Sequence, residues 1–322
     1  MSVATLAVLA IALIVVVVVS MVAAKTLAAR PALTIAVAPT PDEAAELRRV
    51  TNVAPPYKLV QARHGWMLVN ANDVYMGQAV LRYGECCEIE VAFLLKLIAM
   101  RPGAVIEVGT NIGTHTVPMA KLLATQNRRL IAFEPQPVIF QNLCANLALN
   151  GLGNVTAWPN ACSDRPGTVY FQRPDYIANG NFGGVSMSTE SAPGDIAVPC
   201  VDLDTFLSKE PVGLMKIDVE GFELNVLQGA ARLIASSRPV LYVENDRIDR
   251  AKNLIEWLWS KQYRLWWHVP PLFNPDNYFA DAFDLYPRVA SVNMLCLPRE
   301  IESPFPGMEE VLTTRHPLEG RA

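Results

Sequence analysis

From residue 104 onward, short and continuously apolar stretches alternate with stretches of helical periodicity. Apolar stretches of this kind are typical of the strands of a parallel sheet that helices cover on both faces. The last two apolar stretches are separated by an irregular segment instead of a helix, which favours an antiparallel hairpin at the end of the sheet. The sequence therefore predicts an α/β fold.

The periodicity also gives approximate bounds for each element. The predicted strands cover 66–69, 74–76, 104–109, 129–134, 154–158, 213–218 and 239–244, with two late strands at 264–269 and 291–297. The predicted helices cover 41–50, 88–100, 114–124, 137–150, 202–208, 220–236 and 250–262.

The segment from Val3 to Ala24 is almost wholly aliphatic and carries no charge. About 20 such residues cross a bilayer as one helix. Lys25 and Arg30 follow this segment and no basic residue precedes it. The positive-inside rule therefore predicts a single-pass membrane protein whose globular, catalytic part lies in the cytoplasm. Cleavage after Ala24, as in a secretory signal peptide, is the alternative.

Changes in composition divide the chain into five predicted parts. These are a transmembrane anchor at 1–25, a linker rich in Ala, Pro and Thr at 26–56, an N-terminal cap region at 57–101, the main α/β domain at 102–300 and a C-terminal tail at 301–322.

The composition excludes several kinds of function. The 322 residues carry a formal net charge of −4 without a Lys/Arg-rich run, so nucleic acid is not an expected partner. Four histidines are too few for a histidine-rich metal site. None of the six cysteines forms a CxxC pair, which favours reduced thiols in a cytosolic domain.

The turn after the first strand of the alternation reads VIEVGTNIGTHT, residues 105–116. Gly109 allows a tight turn and the close approach of a ligand to the backbone, and the helix that follows offers free N–H groups. Position 111 is not the glycine that the GxGxxG pattern of dinucleotide enzymes requires. Glu107 would also repel phosphate. The turn therefore predicts a cationic or neutral nucleoside without phosphates, and S-adenosylmethionine fits that description.

Acidic and polar side chains follow the next two predicted strands. Glu134 ends the second strand, where a carboxylate can accept hydrogen bonds from both ribose hydroxyls. Asn160, Ser163 and Asp164 follow the third strand, where short polar side chains could bond to the amino group of adenine. The alternatives are an exposed glutamate in the first case and ordinary turn residues in the second.

A second informative stretch, LMKIDVEGFELNVLQGA, covers residues 214–230. Lys216, Asp218 and Glu220 alternate in it and so face one way on an extended chain. Asp218 ends a predicted buried strand, and Glu244 and Asn245 end the next one, so the three oxygen-bearing side chains share one edge of the sheet. Asp218, Glu244 and Asn245 could therefore hold a divalent metal such as Mg²⁺, which would acidify a bound hydroxyl group.

The second hypothesis for these residues is base catalysis without a metal. A carboxylate such as Asp218 or Glu220, or His115 after the glycine turn, would act as the general base, and Lys216 would adjust the charge around it. The third hypothesis gives the cluster a role in structure or in orienting a substrate.

Taken together, these motifs resemble the FkbM family of methyltransferases. The similarity spans roughly residues 75–250, with weaker support just upstream in NDVYMGQAVLRYGE. It rests on VIEVGTNIGTHT, IAFEPQP, NLCANLALNG, CSD, VDLDTFL and MKIDVEGFELNVLQGA. The resemblance implies a class I, Rossmann-like methyltransferase fold, which is a seven-stranded sheet with one antiparallel strand. It also implies S-adenosylmethionine as the methyl donor and O-methylation of a hydroxyl, often on a sugar or a polyketide-type product.

The resemblance carries over to this chain residue by residue. Glu107, Gly109, Asn111 and Gly113 match the cofactor turn, Glu134 matches the ribose acid, and Asp218 and Glu220 match the K-I-D-V-E-G signature. The family usually has Asp at the position of Glu107 and Ala at that of Thr110. Because Glu is one methylene longer, its contact with the amino-acid part of the donor is expected to be indirect.

The expected partner is a small-molecule, glycan or lipid-linked acceptor with a hydroxyl group, and the predicted anchor favours an acceptor at the bilayer. A second copy of the chain could also be a partner, in a homodimer. One rival function is that of an NAD(P)-dependent Rossmann oxidoreductase, although the chain lacks both GxGxxG and a Tyr-x-x-x-Lys pair. The other is a non-catalytic, membrane-tethered binding module, against which the presence of Glu107, Glu134 and Asp218 argues.

Overall fold

The computed structural model describes residues 50–207 and 210–319, which belong to one compact unit. Three predicted features lie outside the described residues. They are the transmembrane anchor, the helix at 41–50 except its last residue, and the linker up to residue 49. Within the described residues, no helix is both long enough and apolar enough to cross a membrane. The single-pass topology therefore stays a prediction.

The described part contains thirteen strands and eight helices. The strands are β1 (Val50–Asn52), β2 (Tyr57–Ala62), β3 (Gly65–Asn70), β4 (Ala104–Val108), β5 (Leu130–Phe133), β6 (Val155–Trp158), β7 (Ala161–Cys162), β8 (Gly167–Gln172), β9 (Asp195–Val201), β10 (Val212–Ile217), β11 (Val240–Glu244), β12 (Tyr263–His268) and β13 (Asn293–Pro298). The helices are α1 (Met76–Tyr83), α2 (Glu88–Ile98), α3 (Thr116–Thr125), α4 (Pro137–Leu149), α5 (Leu203–Phe206), α6 (Glu223–Gly229), α7 (Ala231–Ser237) and α8 (Ile248–Ser260).

Seven strands form the central sheet in the order β12-β13-β11-β10-β4-β5-β6. The strands from β11 through β10, β4 and β5 to β6 are parallel, and β13 is antiparallel to both of its neighbours. The predicted α/β sheet with a terminal antiparallel hairpin is confirmed. Because β13 runs antiparallel to β11, with Asn293 opposite Glu244, the segment that precedes β13 reaches the carboxyl edge of the parallel strands.

Neighbouring side chains of a central strand enter different apolar clusters, as they must in a sheet that is covered on both faces. Val105 of β4 packs with Leu97 of α2 and Leu123 of α3 on one face. Ile106, the next residue, packs with Leu254 of α8 on the other face. This arrangement explains why the strands read as continuously apolar in the sequence.

Strands β1 to β3 form a separate antiparallel meander that helix α4 holds in place. The Asn142 side chain donates to the carbonyl of Leu68 over 2.7 Å, and the Leu68 amide donates to the Asn146 side chain over 2.6 Å. The meander leads into α1 and α2, so the strands that precede these two helices are attached to α4.

Two predicted elements differ from the structure. The predicted strand at 74–76 is absent, because Met76 already begins α1. The predicted helix at 220–236 is divided into α6 and α7 and begins only at Glu223. It starts late because Glu220 and Gly221 have positive φ angles of 55° and 101°, which no α-helix accommodates. The resulting turn presents Glu220 at the carboxyl edge of the sheet.

Candidate active site

A cavity of about 280 Å³ opens at the carboxyl ends of four neighbouring strands. Gly109 follows β4, Glu134 follows β5, Asp218 follows β10, and Glu244 ends β11; all four line the cavity. Open α/β sheets bind their ligands at this edge. The sheet thus brings together residues that are far apart in the sequence.

The glycine turn forms the floor of the cavity next to Asp218. Gly109 has a φ of 83°, and a Cβ added to it would overlap the carbonyl oxygen of Asp218. Gly113 has a φ of 91°, and its Cβ would lie 2.9 Å from Cδ1 of Leu143. We predicted bare backbone here for the approach of a ligand. In the structure, both glycines are already required by neighbouring parts of the same chain.

Glu134 joins the end of β5 to the glycine turn. One carboxylate oxygen accepts the amide of Asn111 and the other accepts the amide of Gln136, both over 2.9 Å. Asn111 has a φ of 50°, which aims its amide at the carboxylate. Burial raises the pKa of Glu134 to about 7, although the two amides oppose this. Each oxygen keeps a further lone pair for a ligand hydroxyl.

A buried lysine lies beneath the cavity, between two carboxylates. Lys216, which is 1% exposed, donates to Asp218 over 2.9 Å and lies opposite Glu107 in the pairing of β10 with β4. Burial lowers the pKa of Lys216, but Asp218, Glu107 and Glu90 together raise it above its usual value. Burial raises and Lys216 lowers the pKa of Asp218, and the net shift is downward. Asp218 therefore stays ionised at the cavity wall.

Glu107 itself is 0% exposed and does not line the cavity. One of its oxygens accepts the hydroxyl of Thr116 over 2.7 Å, and the other has no hydrogen-bond partner. Burial raises the pKa of Glu107 to about 7, while Lys216 lowers it. The structure therefore places this carboxylate behind the turn, with one oxygen left for a water or a ligand group.

His115 lines the cavity next to Glu90 of α2. Both side chains are about 95% buried, and Nε2 of His115 lies 3.5 Å from Oε1 of Glu90 without a hydrogen bond. Burial and Lys216 lower the pKa of His115 to about 3, so the ring is neutral at pH 7. Burial raises the pKa of Glu90 to about 7, with Lys216 opposing the rise.

Three carboxylates converge at the ends of β10 and β11. Oxygens of Glu220, Glu244 and Asp246 lie within 4.8 Å of one another. Arg247 bonds to Glu220 and lies 3.3 Å from Asp246. The predicted metal ligand Asn245 is directed elsewhere, since its side-chain amide donates to the sulfur of Met294. The cluster thus contains Glu244 of the predicted metal ligands, but it has Glu220 and Asp246 in place of Asp218 and Asn245.

The three polar residues after β6 do not line the cavity. Ser163 is buried and its hydroxyl donates to Asp164 over 3.0 Å, while Asp164 is exposed. Asn160 is half-buried. The cavity is lined instead by Gln136, Asn181, Gly183 and Gly184. The adenine contact stays a prediction for Asn160, Ser163 and Asp164.

The predicted site residues that line the cavity are Gly109, Asn111, His115, Glu134, Asp218, Glu220 and Glu244, while Gly113, Lys216 and Glu107 do not line it. Glu90 also lines the cavity but was not predicted, because in the sequence it is only a polar position within an apolar helix. The segment before β13, where Tyr286 and Ser291 line the cavity, was not predicted either. Neither carries a recognisable motif, because each reaches the cavity through long-range packing.

The segment before β13 is attached to α1 and to the loop after it. Glu85 accepts the side-chain amide of Asn274 over 2.7 Å and the backbone amide of Tyr278 over 2.8 Å. The hydroxyl of Tyr83 donates to the carbonyl of Phe283 and accepts the amide of Leu285. These bonds hold one wall of the cavity in place.

Comparison with known proteins decides the family of the central part of the chain. Residues 107–265 match the family model of the methyltransferase FkbM domain. This part of the chain is an FkbM methyltransferase domain. The resemblance derived from the sequence motifs is thereby confirmed.

The chain is also similar to one curated enzyme and to several solved structures. The chain is 30% identical over 133 residues to the hexuronic acid methyltransferase AglP of Haloferax volcanii, which covers 40% of this chain and 51% of AglP. It thus spans about half the length of that relative. The methyltransferase FkbM from Methylobacillus flagellatus aligns with a TM-score of 0.41 and 16% identity, over 62% of this chain and 45% of the other. The O-methyltransferase TomG from Streptomyces achromogenes, in complex with SAM, aligns with a TM-score of 0.39 and 12% identity, over 65% and 79% of the two chains.

Proposed function

We propose that this protein is an S-adenosylmethionine-dependent methyltransferase that methylates a hydroxyl group of a sugar. The observation that carries the proposal is the cavity at the carboxyl edge of the FkbM domain, where Gly109, Glu134, Asp218 and Glu244 come from four strand ends. A cavity lined by carboxylates favours a cationic nucleoside and disfavours the pyrophosphate of a nicotinamide cofactor.

The residues present fit the proposed donor. Glu134 is held rigidly by the amides of Asn111 and Gln136, and its remaining lone pairs suit two ribose hydroxyls. Asp218, with its lowered pKa, offers a negative charge to an ammonium or sulfonium group. When bound, S-adenosylmethionine supplies a methyl group activated by its sulfonium. The residues around it have to orient the acceptor and remove one proton.

We propose that Glu90 is the general base that takes this proton from the hydroxyl group of the methyl acceptor. An acceptor hydroxyl loses its proton as its oxygen is methylated, and a general base works best with a pKa near the working pH. Glu90 lines the cavity with a pKa raised to about 7, whereas His115, with a pKa lowered to about 3, is a weaker base. Asn293 donates to Oε2 of Glu90 over 3.3 Å and orients the carboxylate.

The acceptor class is taken from two sources. AglP is by its name a hexuronic acid methyltransferase, and sugars are rich in hydroxyl groups. The cavity is lined mainly by groups that accept hydrogen bonds. Such a lining suits a methyl acceptor with several hydroxyl groups, because each hydroxyl can donate a hydrogen bond. We further propose that the apolar segment Val3–Ala24 anchors the protein at a membrane, where a lipid-linked glycan would be the acceptor.

Two measurements test the proposed function. Calorimetric titration with S-adenosylhomocysteine and, separately, with NAD should show binding of the first alone. Mass spectrometry of glycan and lipid extracts from cells with and without the gene should then reveal one species heavier by a CH₂ group. Binding of NAD alone would support the oxidoreductase instead. Intact binding of S-adenosylhomocysteine without any methylated product would favour the non-catalytic module.

A further inference from the structure

We infer that the acceptor side of the cavity selects a sugar ring without a negative charge over one that carries a carboxylate, phosphate or sulfate. The inference rests on the proposed function, because it concerns the acceptor of that same reaction. It goes beyond the relatives, since the curated one is named for an acidic sugar.

The acceptor side is built by chain outside the matched domain. Tyr75, Glu90, Tyr286 and Ser291 line this side, and all four lie outside residues 107–265. The rings of Tyr75 and Tyr286 stack with their centroids 5.5 Å apart and their planes 9° apart. The hydroxyl of Tyr286 donates to the backbone carbonyl of Tyr75 over 2.7 Å. The wall is therefore rigid and aromatic, as suits the apolar face of a sugar ring.

The charged side chains around this wall are nearly all acidic. Among the described residues that line the cavity there is no Lys or Arg, and His115 is neutral at pH 7 because burial and Lys216 lower its pKa. The nearby cations already pair with carboxylates. Lys216 pairs with Asp218, and Arg247 pairs with Glu220 and Asp246. An anionic acceptor would therefore enter without a cation to pair with.

Desolvation and repulsion both act against such an acceptor. A carboxylate that leaves water without a partner loses its hydration, and Asp218 and Asp246 would repel it at short range. A neutral ring meets neither cost, because its hydroxyls donate to the same oxygens that would repel an anion. The acidic lining thus binds polyols and excludes acids by the same groups.

The experiment compares acceptors that differ only at C6. Phenyl glycosides of glucose, galactose and mannose are paired with the corresponding uronides, and kcat/KM is measured with the full-length protein and S-adenosylmethionine. Binding of both members to the protein loaded with S-adenosylhomocysteine is measured in parallel, so that slow chemistry does not hide recognition. In the pair that binds best, we expect the neutral member to be preferred at least about tenfold in both measurements.

A matched pair of variants locates the cause of the preference. Asp246→Asn removes one charge from the cavity and should reduce the preference severalfold by improving the uronide. Asp249→Asn makes the same chemical change on an exposed face of α8 and should leave the ratio unchanged. If Asp246→Asn acted only by disturbing the structure, the binding of the neutral glycoside and that of its uronide would weaken equally.

The outcomes separate the inference from the function on which it rests. Equal or better use of a uronide would overturn the inference and leave the methyltransferase activity standing. Binding of neither glycoside to the loaded protein would overturn it as well, without bearing on the donor site. If S-adenosylhomocysteine itself did not bind, the proposed function and the inference would both fail.

Discussion

Lys216 of β10 lies directly opposite Glu107 of β4 in the register of the sheet, yet its ammonium group bonds to Asp218, 2.9 Å away. The lysine thus connects a fully buried carboxylate with one that lines the cavity. Because Glu107 keeps one oxygen without a partner, the fold carries a buried acid whose ionisation is costly.

This arrangement predicts a pH-dependent stability. Burial raises the pKa of Glu107 from 4.5 to about 7 in the folded protein. Between these values the folded state binds more protons than the unfolded state, so Glu107 lowers the free energy of unfolding as the pH rises through this window. Between pH 4.5 and 7.5, the free energy of unfolding of Glu107→Gln should therefore fall by about 1 to 3 kcal/mol less than that of the wild type. Chemical denaturation at several pH values measures it, and parallel curves for variant and wild type would contradict the prediction.

Glu134→Ala should weaken the binding of S-adenosylhomocysteine severalfold to about 100-fold, because a charge-assisted hydrogen bond contributes about 1.5 to 3 kcal/mol. Titration calorimetry gives the affinity. Glu134 also accepts two backbone amides, so the variant should unfold at a lower temperature. Glu134→Gln, which retains an acceptor oxygen, is the control for that structural loss. Unchanged affinity in the folded Ala variant would remove Glu134 from the donor site.

Glu90→Gln should lower kcat by about 10² to 10⁴, the usual contribution of a general base. In the wild-type enzyme, kcat should rise with pH through about 7 as Glu90 loses its proton. The variant should lose this rise. Glu88→Gln is the matched control, since Glu88 lies in the same turn of α2 but bonds to His64 and does not line the cavity. A retained pH profile in Glu90→Gln would assign the base to another residue, with Glu220 next to be tested.

Gly109→Ala should destabilise the protein by at least about 2 kcal/mol. The added Cβ would overlap the carbonyl oxygen of Asp218, and alanine also disfavours the φ of 83° at this position. Gly153→Ala is the control, because a Cβ there meets nothing within 4 Å. That change should leave stability unchanged or raise it slightly. Equal melting temperatures for the two variants would contradict the close approach of β4 and β10.

Activity should persist in the presence of a chelator. Arg247 already provides a positive charge to Glu220 and Asp246, and the side chain of Asn245 is directed to Met294. We therefore expect the reaction to need no metal ion. Assays with EDTA, and with EDTA followed by excess Mg²⁺, measure the dependence. A loss of activity that Mg²⁺ restores would establish the metal hypothesis, with Glu220, Glu244 and Asp246 as its ligands.

The sequence predicted the features that depend on local patterns. The apolar runs gave the order of strands and helices, and the topology of parallel sheets then placed Gly109, Glu134 and Asp218 at one edge. The role of Gly109 was only partly predicted. Its positive φ is a local property, but the carbonyl that excludes a side chain belongs to Asp218, more than a hundred residues along the chain.

Features that depend on long-range packing escaped the sequence analysis. Glu90 lies on a helix that reads as part of an apolar core, and its position in the cavity depends on how α2 packs against the sheet. Tyr286 follows an irregular segment whose course is set by hydrogen bonds to Tyr83 and Glu85. The late start of α6 depends on positive φ angles at Glu220 and Gly221, which a helical periodicity does not reveal.

The wall fastened to Tyr83 and Glu85 has an evolutionary consequence. Under the proposed function, the matched domain holds the methyl donor. The proposed base Glu90 and the wall of Tyr75 and Tyr286 belong instead to the chain on either side of that domain. On this arrangement, substitutions in the two flanks could change the methyl acceptor while the donor site in residues 107–265 stays unaltered. Since the flanks bond to each other across some two hundred positions, they must be inherited, or grafted in the laboratory, as a matched pair.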